Sequence, residues 1–325
     1  LGIDLVPFKT CSYDCVYCQL GRTTIKTVER KEYVPIDDVM AEVERKLAAA
    51  NRPDYIGLAG SGEPTLNSRI GELINRLRRL TDIPIAVLTN GSLLWMEEVR
   101  DALMGADLVL PSLDAGNERL FRYVNRPHPE ISFDRMVEGL AAFAGSYPKE
   151  IWLEVFLLEG VTGIPAEAEK IASHISRIRP ARVQLNTVTR PAAEEFALPL
   201  SAARMLALRN LFPGEVEIIG EGLPDGTRVP IPSKAMGADI LALLGRRPCT
   251  SADVAAGLGI HITEALKLLE RLIGAGTVKT LRADGRRYYT RAAFEGAPWP
   301  LRRQRRTKDD PYLKKMKRIE PIMID

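Results

Sequence analysis

Three of the four cysteines in this 325-residue chain, Cys11, Cys15 and Cys18, stand together near its start, in the run Lys9-Thr-Cys-Ser-Tyr-Asp-Cys-Val-Tyr-Cys. Three thiolates on one short loop suit an iron–sulfur cube: each ligates one iron, and the fourth iron keeps an open position for a small co-substrate. A structural zinc site is the other reading. It normally takes four protein ligands, often as two separated pairs. No second pair follows here, and the only histidines are His128, His174 and His261. A clustered, odd number of thiols also points to metal chemistry in a reducing compartment rather than to disulfides. The cytoplasm is therefore the expected location.

The remaining candidates are polar residues spaced along the next 170 positions. Gly62-Glu63-Pro64, preceded by Gly60, reads either as a tight turn or as an edge where the backbone approaches a ligand closely. Asn90, Ser112 and Asp114 lie at the ends of apolar runs, where they either satisfy neighbouring backbone groups or face a ligand. Glu154 sits inside the apolar run 151–158, so its carboxylate is expected to be paired or ligand-facing, since burial alone is costly. Gln184 and Asn186 alternate with Val183 and Leu185 and so share one strand face.

These residues need elements to hold them. Short apolar strands are expected at 3–7, 55–59, 85–89, 108–113, 152–158 and 183–188. Helices are expected between and after them, at 36–50, 70–80, 96–103, 133–144, 166–178 and 202–211. Strands alternating with helices imply parallel βα units with right-handed crossovers. An open doubly wound sheet and a barrel both fit that alternation. The candidate residues nevertheless fall at the C-terminal ends of all six strands, the face on which barrel enzymes build their sites. A doubly wound sheet would gather them at one switch point. The expected fold is α/β, a partial (β/α)6 barrel over 1–222.

A Pro-rich linker is expected at 223–235. Residues 236–293 carry three helical patterns, at 238–245, 250–256 and 261–274, with a turn at Gly259. Two strand patterns follow, at 278–281 and 287–290, joined by Asp284-Gly285, a strong hairpin signal. That order predicts a small winged helix-turn-helix domain with 261–272 as its recognition helix. A basic tail, 294–325, closes the chain. Residues 236–325 hold 18 Lys and Arg against 10 Asp and Glu, although the whole chain carries only +3. Arg282, Arg286 and Arg287 on the hairpin, with Arg302, Arg303, Arg305 and Arg306 in the tail, could track a phosphate backbone. A solvated basic surface or a protein-docking module is the plainer reading. No apolar run approaches a membrane-spanning length.

The cysteine spacing, with an aromatic before the last cysteine, resembles the radical S-adenosylmethionine (radical SAM) enzymes. The resemblance implies a [4Fe-4S] cluster on Cys11, Cys15 and Cys18, with SAM chelating the open iron. An electron then cleaves the sulfonium, and the resulting 5′-deoxyadenosyl radical takes a hydrogen atom from the substrate. It implies that Tyr17 packs beside the adenine and that Gly62, Glu63 and Pro64 receive the SAM ammonium. It further implies that Ser112 or Asp114 bonds the ribose, with Asn90, Glu154, Gln184 and Asn186 as further SAM or substrate contacts. A low-potential donor such as flavodoxin or ferredoxin would supply the electron.

Within that superfamily, the run from Val6 to Gly21 and the phrase Gln184-Leu-Asn-Thr-Val-Thr-Arg-Pro look most like the group containing the tRNA wyosine-base synthases. Two departures separate this chain from that reaction. Only Cys249 is left for a second cluster, and Glu159 stands where those enzymes place a lysine. The expectation is a single-cluster radical SAM enzyme acting on a macromolecule, with RNA or tRNA the leading substrate. A peptide- or protein-modifying enzyme and an iron–sulfur, DNA-binding regulator are the alternatives.

Overall fold

The computed structural model describes residues 1–49, 52–219, 237–258, 260, 262–283 and 285–292. The expected linker, the tail with the four candidate arginines, Gly259, His261 and Asp284 lie outside these residues. The chain opens with β1 (Gly2–Ile3), β2 (Thr10–Cys11), β3 (Ile25–Lys26), α1 (Ile36–Ala49) and β4 (Ile56–Leu58). A 3-10 turn at Pro64–Leu66 precedes α2 (Ile70–Leu80), β5 (Ile85–Thr89), α3 (Glu97–Leu103) and β6 (Leu108–Pro111). Then come α4 (Glu118–Val124), α5 (Phe133–Ser146), β7 (Glu150–Leu157), α6 (Pro165–Ile178), β8 (Arg182–Thr187), α7 (Ala202–Arg209) and β9 (Val216–Ile218). The C-terminal region holds α8 (Gly237–Leu244), α9 (Ser251–Leu258), α10 (Ile262–Gly274), β10 (Val278–Ala283) and β11 (Arg286–Arg291).

Local chemistry sets the helix limits. Asn117, Ser132 and Ser201 cap α4, α5 and α7 by accepting from backbone N–H groups three residues on, as N-caps do. Pro165 opens α6, where a missing N–H costs nothing. Along α2, Ile70, Leu73, Ile74 and Leu77 are buried at helical spacing.

Seven strands form one parallel sheet in the order β1-β4-β5-β6-β7-β8-β9. Spatial order follows chain order with no reversal, which excludes the doubly wound alternative. At the sheet's two edges the strands differ from the expectation. The first strand stops at Ile3 instead of reaching residue 7, because the Asp4 carboxylate takes the Ser61 amide at 2.5 Å and Pro7 has no N–H to offer a ladder. The seventh strand, β9, has only three residues and an exposed Glu217 at its centre, too short a pattern to read from sequence.

Strand β7 alternates buried Ile151, Leu153, Val155 and Leu157 with half-buried Trp152, Glu154 and Phe156. One face packs on helices in the main apolar core, and the other carries polar and aromatic groups. The C-terminal elements build a separate apolar cluster from Ile240, Leu244, Cys249, Val254, Leu269 and Tyr289. This unit touches the sheet at both ends. Arg190, after β8, pairs with Asp253 of α9 at 2.8 Å, and Tyr288 Oη donates to the Thr189 carbonyl at 3.2 Å. On the far side, Arg246 approaches Gly2 of β1.

Candidate active site

The cysteine loop is pinned from three directions. Thr10 and Cys11 pair with Ile25 and Lys26, the Lys9 amide donates to Ser61, and the Val16 amide donates to Val124. Each cysteine sulfur accepts from a nitrogen of a different segment. Asn90 Nδ2 lies 3.6 Å from Cys11 Sγ, Asn125 Nδ2 lies 3.5 Å from Cys15 Sγ, and Lys9 Nζ lies 3.1 Å from Cys18 Sγ. Burial pushes the Cys11 thiol up to about 12, with the nearby Glu63 charge adding to it. Burial likewise pushes the Cys15 thiol far up. Coordination by a metal deprotonates a thiol outright and so offsets this penalty.

Two further observations bear on a bound group. Thr10 Oγ1, Tyr13 Oη and Asn125 Oδ1, all in or beside the loop, are buried without a hydrogen-bond partner. Among the described residues, no three His, Cys, Asp or Glu side chains converge on a single ion. A cubane does not ask for that, because each thiolate binds a different iron. Sulfur ligands, N–H donors aimed at each sulfur and orphaned polar atoms nearby fit an iron–sulfur cluster. Cys249 does not belong to this site: it is fully buried in the C-terminal cluster and trades backbone bonds with Tyr289.

The edge at Gly60–Pro64 is built into the loop. A Cβ on Gly62 would fall 1.8 Å from the Thr10 carbonyl oxygen, and one on Gly60 would fall 1.6 Å from Asp4 Oδ1. A side chain at either position would therefore collide with the chain itself. The Glu63 carboxylate is 1% exposed. Its Oε1 accepts from Thr65 N, Thr65 Oγ1 and Thr89 Oγ1, and its Oε2 from Asn90 N. Burial raises its pKa, and these donors hold the rise back. Glu63 therefore ties the end of β4 to the end of β5 and sets Asn90 against Cys11.

Asp114 is a second brace, beyond the end of β6. It accepts from Tyr17 Oη at 2.5 Å, Asn125 Nδ2 at 2.7 Å and Phe156 N at 3.0 Å. Burial lifts its carboxyl to about 6 against the pull of those donors. A carboxylate so engaged fixes the Tyr17 hydroxyl. Tyr17 stacks on Phe156 with centroids 4.0 Å apart and ring planes 9° from parallel, a flat aromatic wall. Ser112, only half-buried, donates to Glu154 Oε2 at 3.3 Å, and Asn186 Nδ2 donates to Glu154 Oε1 at 3.0 Å. Glu154 is thus paired, as its setting required. Gln184 shares the face of Asn186 but turns to Glu217 of β9.

The sequence reading missed Lys9, Asn125, Phe156, Glu217 and Arg190. Lys9 was legible only as a lysine two places before Cys11. Asn125 and Arg190 reach the loop across 110 and 171 residues of chain, to Cys15 and Gln19, which no spacing rule reports. On the hairpin, Arg282, Arg286 and Arg287 are all exposed, with Arg282 directly opposite Arg287.

The radical SAM superfamily model matches residues 5–172, which span the cysteine loop and the sheet strands β4 to β7. A UPF0026 protein of Methanocaldococcus jannaschii is 33% identical over 294 residues, covering 89% of this chain and 91% of that protein. A protein of Brachyspira hyodysenteriae named GTPase Obg is 38% identical over 287 residues, but this chain spans only 42% of its length. Among solved structures, Streptococcus suis SuiB bound to its precursor peptide SuiA superposes with a TM-score of 0.52 at 14% identity, over 67% of this chain and 48% of SuiB. That likeness is one of fold. The chain belongs to the radical SAM superfamily and, within it, to the UPF0026 proteins. The superfamily match marks it as a radical SAM enzyme. No helix among the described residues is long and apolar enough to cross a membrane.

Proposed function

We propose that this enzyme holds one [4Fe-4S] cluster on Cys11, Cys15 and Cys18, binds SAM at the strand ends beside it, and abstracts a hydrogen atom from a macromolecular substrate, with RNA the favoured class. The observation that carries the reading is the separate N–H donor supplied to each of the three sulfurs. When bound, the cluster supplies the electron that cleaves SAM reductively, ahead of hydrogen abstraction.

The protein's role is positioning and exclusion of water. Gly62 and Glu63 lock the loop to β4 and β5, so the three sulfurs are presented in one arrangement. Tyr17, fixed by Asp114 and stacked on Phe156, offers an aromatic surface for the adenine. Ser112, Glu154 and Asn186, half-exposed on the same sheet face, offer a hydroxyl, a carboxylate and an amide to ribose or substrate. We read the singly wound sheet over 1–222 as a partial barrel with these groups at its mouth. An electron donor of the flavodoxin or ferredoxin class would serve it in the cytoplasm.

We read 236–293 as a winged helix, joined by the linker at 223–235 and followed by the tail at 294–325. Its hairpin arginines favour an anionic polymer over a peptide. A peptide substrate is the second reading, prompted by the fold shared with SuiB, whose structure contains one. Incubating the anaerobically reconstituted, reduced protein with SAM should release 5′-deoxyadenosine and methionine. A protein that carries its cluster yet never cleaves SAM would sink the proposal.

A further inference from the structure

Of the three nitrogen donors at the cysteines, one is a cation in an unusual place. Lys9 is 3% exposed and its backbone sits at φ 59, in the left-handed region that non-glycine residues rarely occupy. Neighbours enforce that conformation: the Lys9 amide donates to Ser61 O at 2.7 Å, and the Thr24 and Ile25 amides both donate to the Lys9 carbonyl at 3.1 Å. Strained backbone held in this way clusters at functional sites. The ammonium nitrogen lies 3.1 Å from Cys18 Sγ. No carboxylate pairs with it among the described residues, and its side-chain partner is the Cys18 sulfur. A buried lysine with no acidic partner is costly, so its natural counter-charge is whatever the three sulfurs hold.

A [4Fe-4S] core with three thiolates carries net negative charge, and one-electron reduction adds to it. A fixed cation and hydrogen bonds at the sulfurs stabilise the more negative state and raise the reduction potential. We propose that Lys9 tunes the cluster, making it easier to reduce by holding a positive charge against Cys18, with Asn90 and Asn125 as weaker, neutral donors to Cys11 and Cys15. Lys9 is a positioning and electrostatic residue: it forms and breaks no bond. The electron comes from a low-potential donor of the flavodoxin or ferredoxin class. The inference rests on the cluster named under the proposed function.

The test compares the full chain with Lys9→Met and Lys9→Arg variants, all reconstituted anaerobically. Iron and sulfide are quantified, and the cluster is titrated potentiometrically with detection by electron paramagnetic resonance. In Lys9→Met the one-electron reduction constant should fall at least tenfold, which is about 59 mV, while Lys9→Arg should stay near the parent. Equal potentials in the parent and Lys9→Met, or equal shifts in both variants, would overturn the inference. Should Lys9→Met fail to hold a cluster, the parent protein labelled with 15N-lysine still decides. Pulsed resonance of its reduced cluster should show a coupled lysine nitrogen, and absence of that coupling would overturn the inference. A parent that assembles no [4Fe-4S] cluster defeats the proposed function and this inference together. A parent that cleaves SAM with a potential indifferent to Lys9 defeats only the inference.

Discussion

The mouth of the sheet and the tip of the β10–β11 hairpin are both rich in polar side chains, and they use them in opposite ways. At the mouth, Glu63 and Asp114 are buried and together accept from seven donor atoms. At the hairpin, Arg282, Arg286 and Arg287 lie exposed and close to one another. Buried polar groups must be satisfied, and once satisfied they fix a single geometry. Exposed like charges gain little from each other and keep their full attraction for an anionic partner. The contrast suits a cofactor that needs a rigid cradle and the anionic polymer proposed above, which needs only a charged surface.

The largest effect should come from the cradle. Cys15→Ala should leave the isolated protein with almost no iron or sulfide while its far-ultraviolet circular dichroism stays near the parent's. A variant that keeps a full complement of iron would remove Cys15 from the ligand set. Next is Gly62→Ala, whose new methyl must displace the Thr10 backbone. A loss of roughly 3 kcal/mol or more is expected in denaturant melts, and a neutral result would show that the loop can yield. Asp114→Ala strips the Tyr17 hydroxyl and the Phe156 amide of their acceptor and Asn125 of one of its two, at a cost of about 1–3 kcal/mol for each group left unpaired. SAM affinity measured by calorimetry should fall with it if Tyr17 holds the adenine.

At the hairpin the effects should be smaller and governed by salt. Replacing Arg286 and Arg287 with Ala should flatten the dependence of log K on log[salt] for bulk tRNA by roughly 0.7 for each phosphate no longer neutralised. An unchanged slope would assign tRNA binding to another surface.

The smallest expected effect concerns the joint between the two regions. Burial tends to raise the Asp253 carboxyl, but hydrogen bonds from Thr250 and the Arg190 charge outweigh it, and its pKa lies below the ordinary value. The unfolded chain therefore takes up this proton first as pH falls. The stabilisation is complete above about pH 4 and disappears as pH drops through the lowered folded value. Asp253→Asn should remove that portion of the acid sensitivity, read from melts at stepped pH, by less than about 1 kcal/mol.

The sequence alone determined the three cysteines, the βα alternation and the turn-and-glycine edge after the second sheet strand, because each is written in local spacing. The arrangement of Gln184 and Asn186 on one strand face also followed from period-two alternation, since a pleat leaves no other choice. Tertiary structure decided what the polar residues do. Glu63 and Asp114 became braces because burial obliges them to collect donors from neighbouring strands and loops. Asn125 became a sulfur partner because folding carried it across 110 residues of chain to Cys15. Parallel crossovers bring together atoms more than a hundred residues apart, and no local pattern encodes which donor will meet which acceptor.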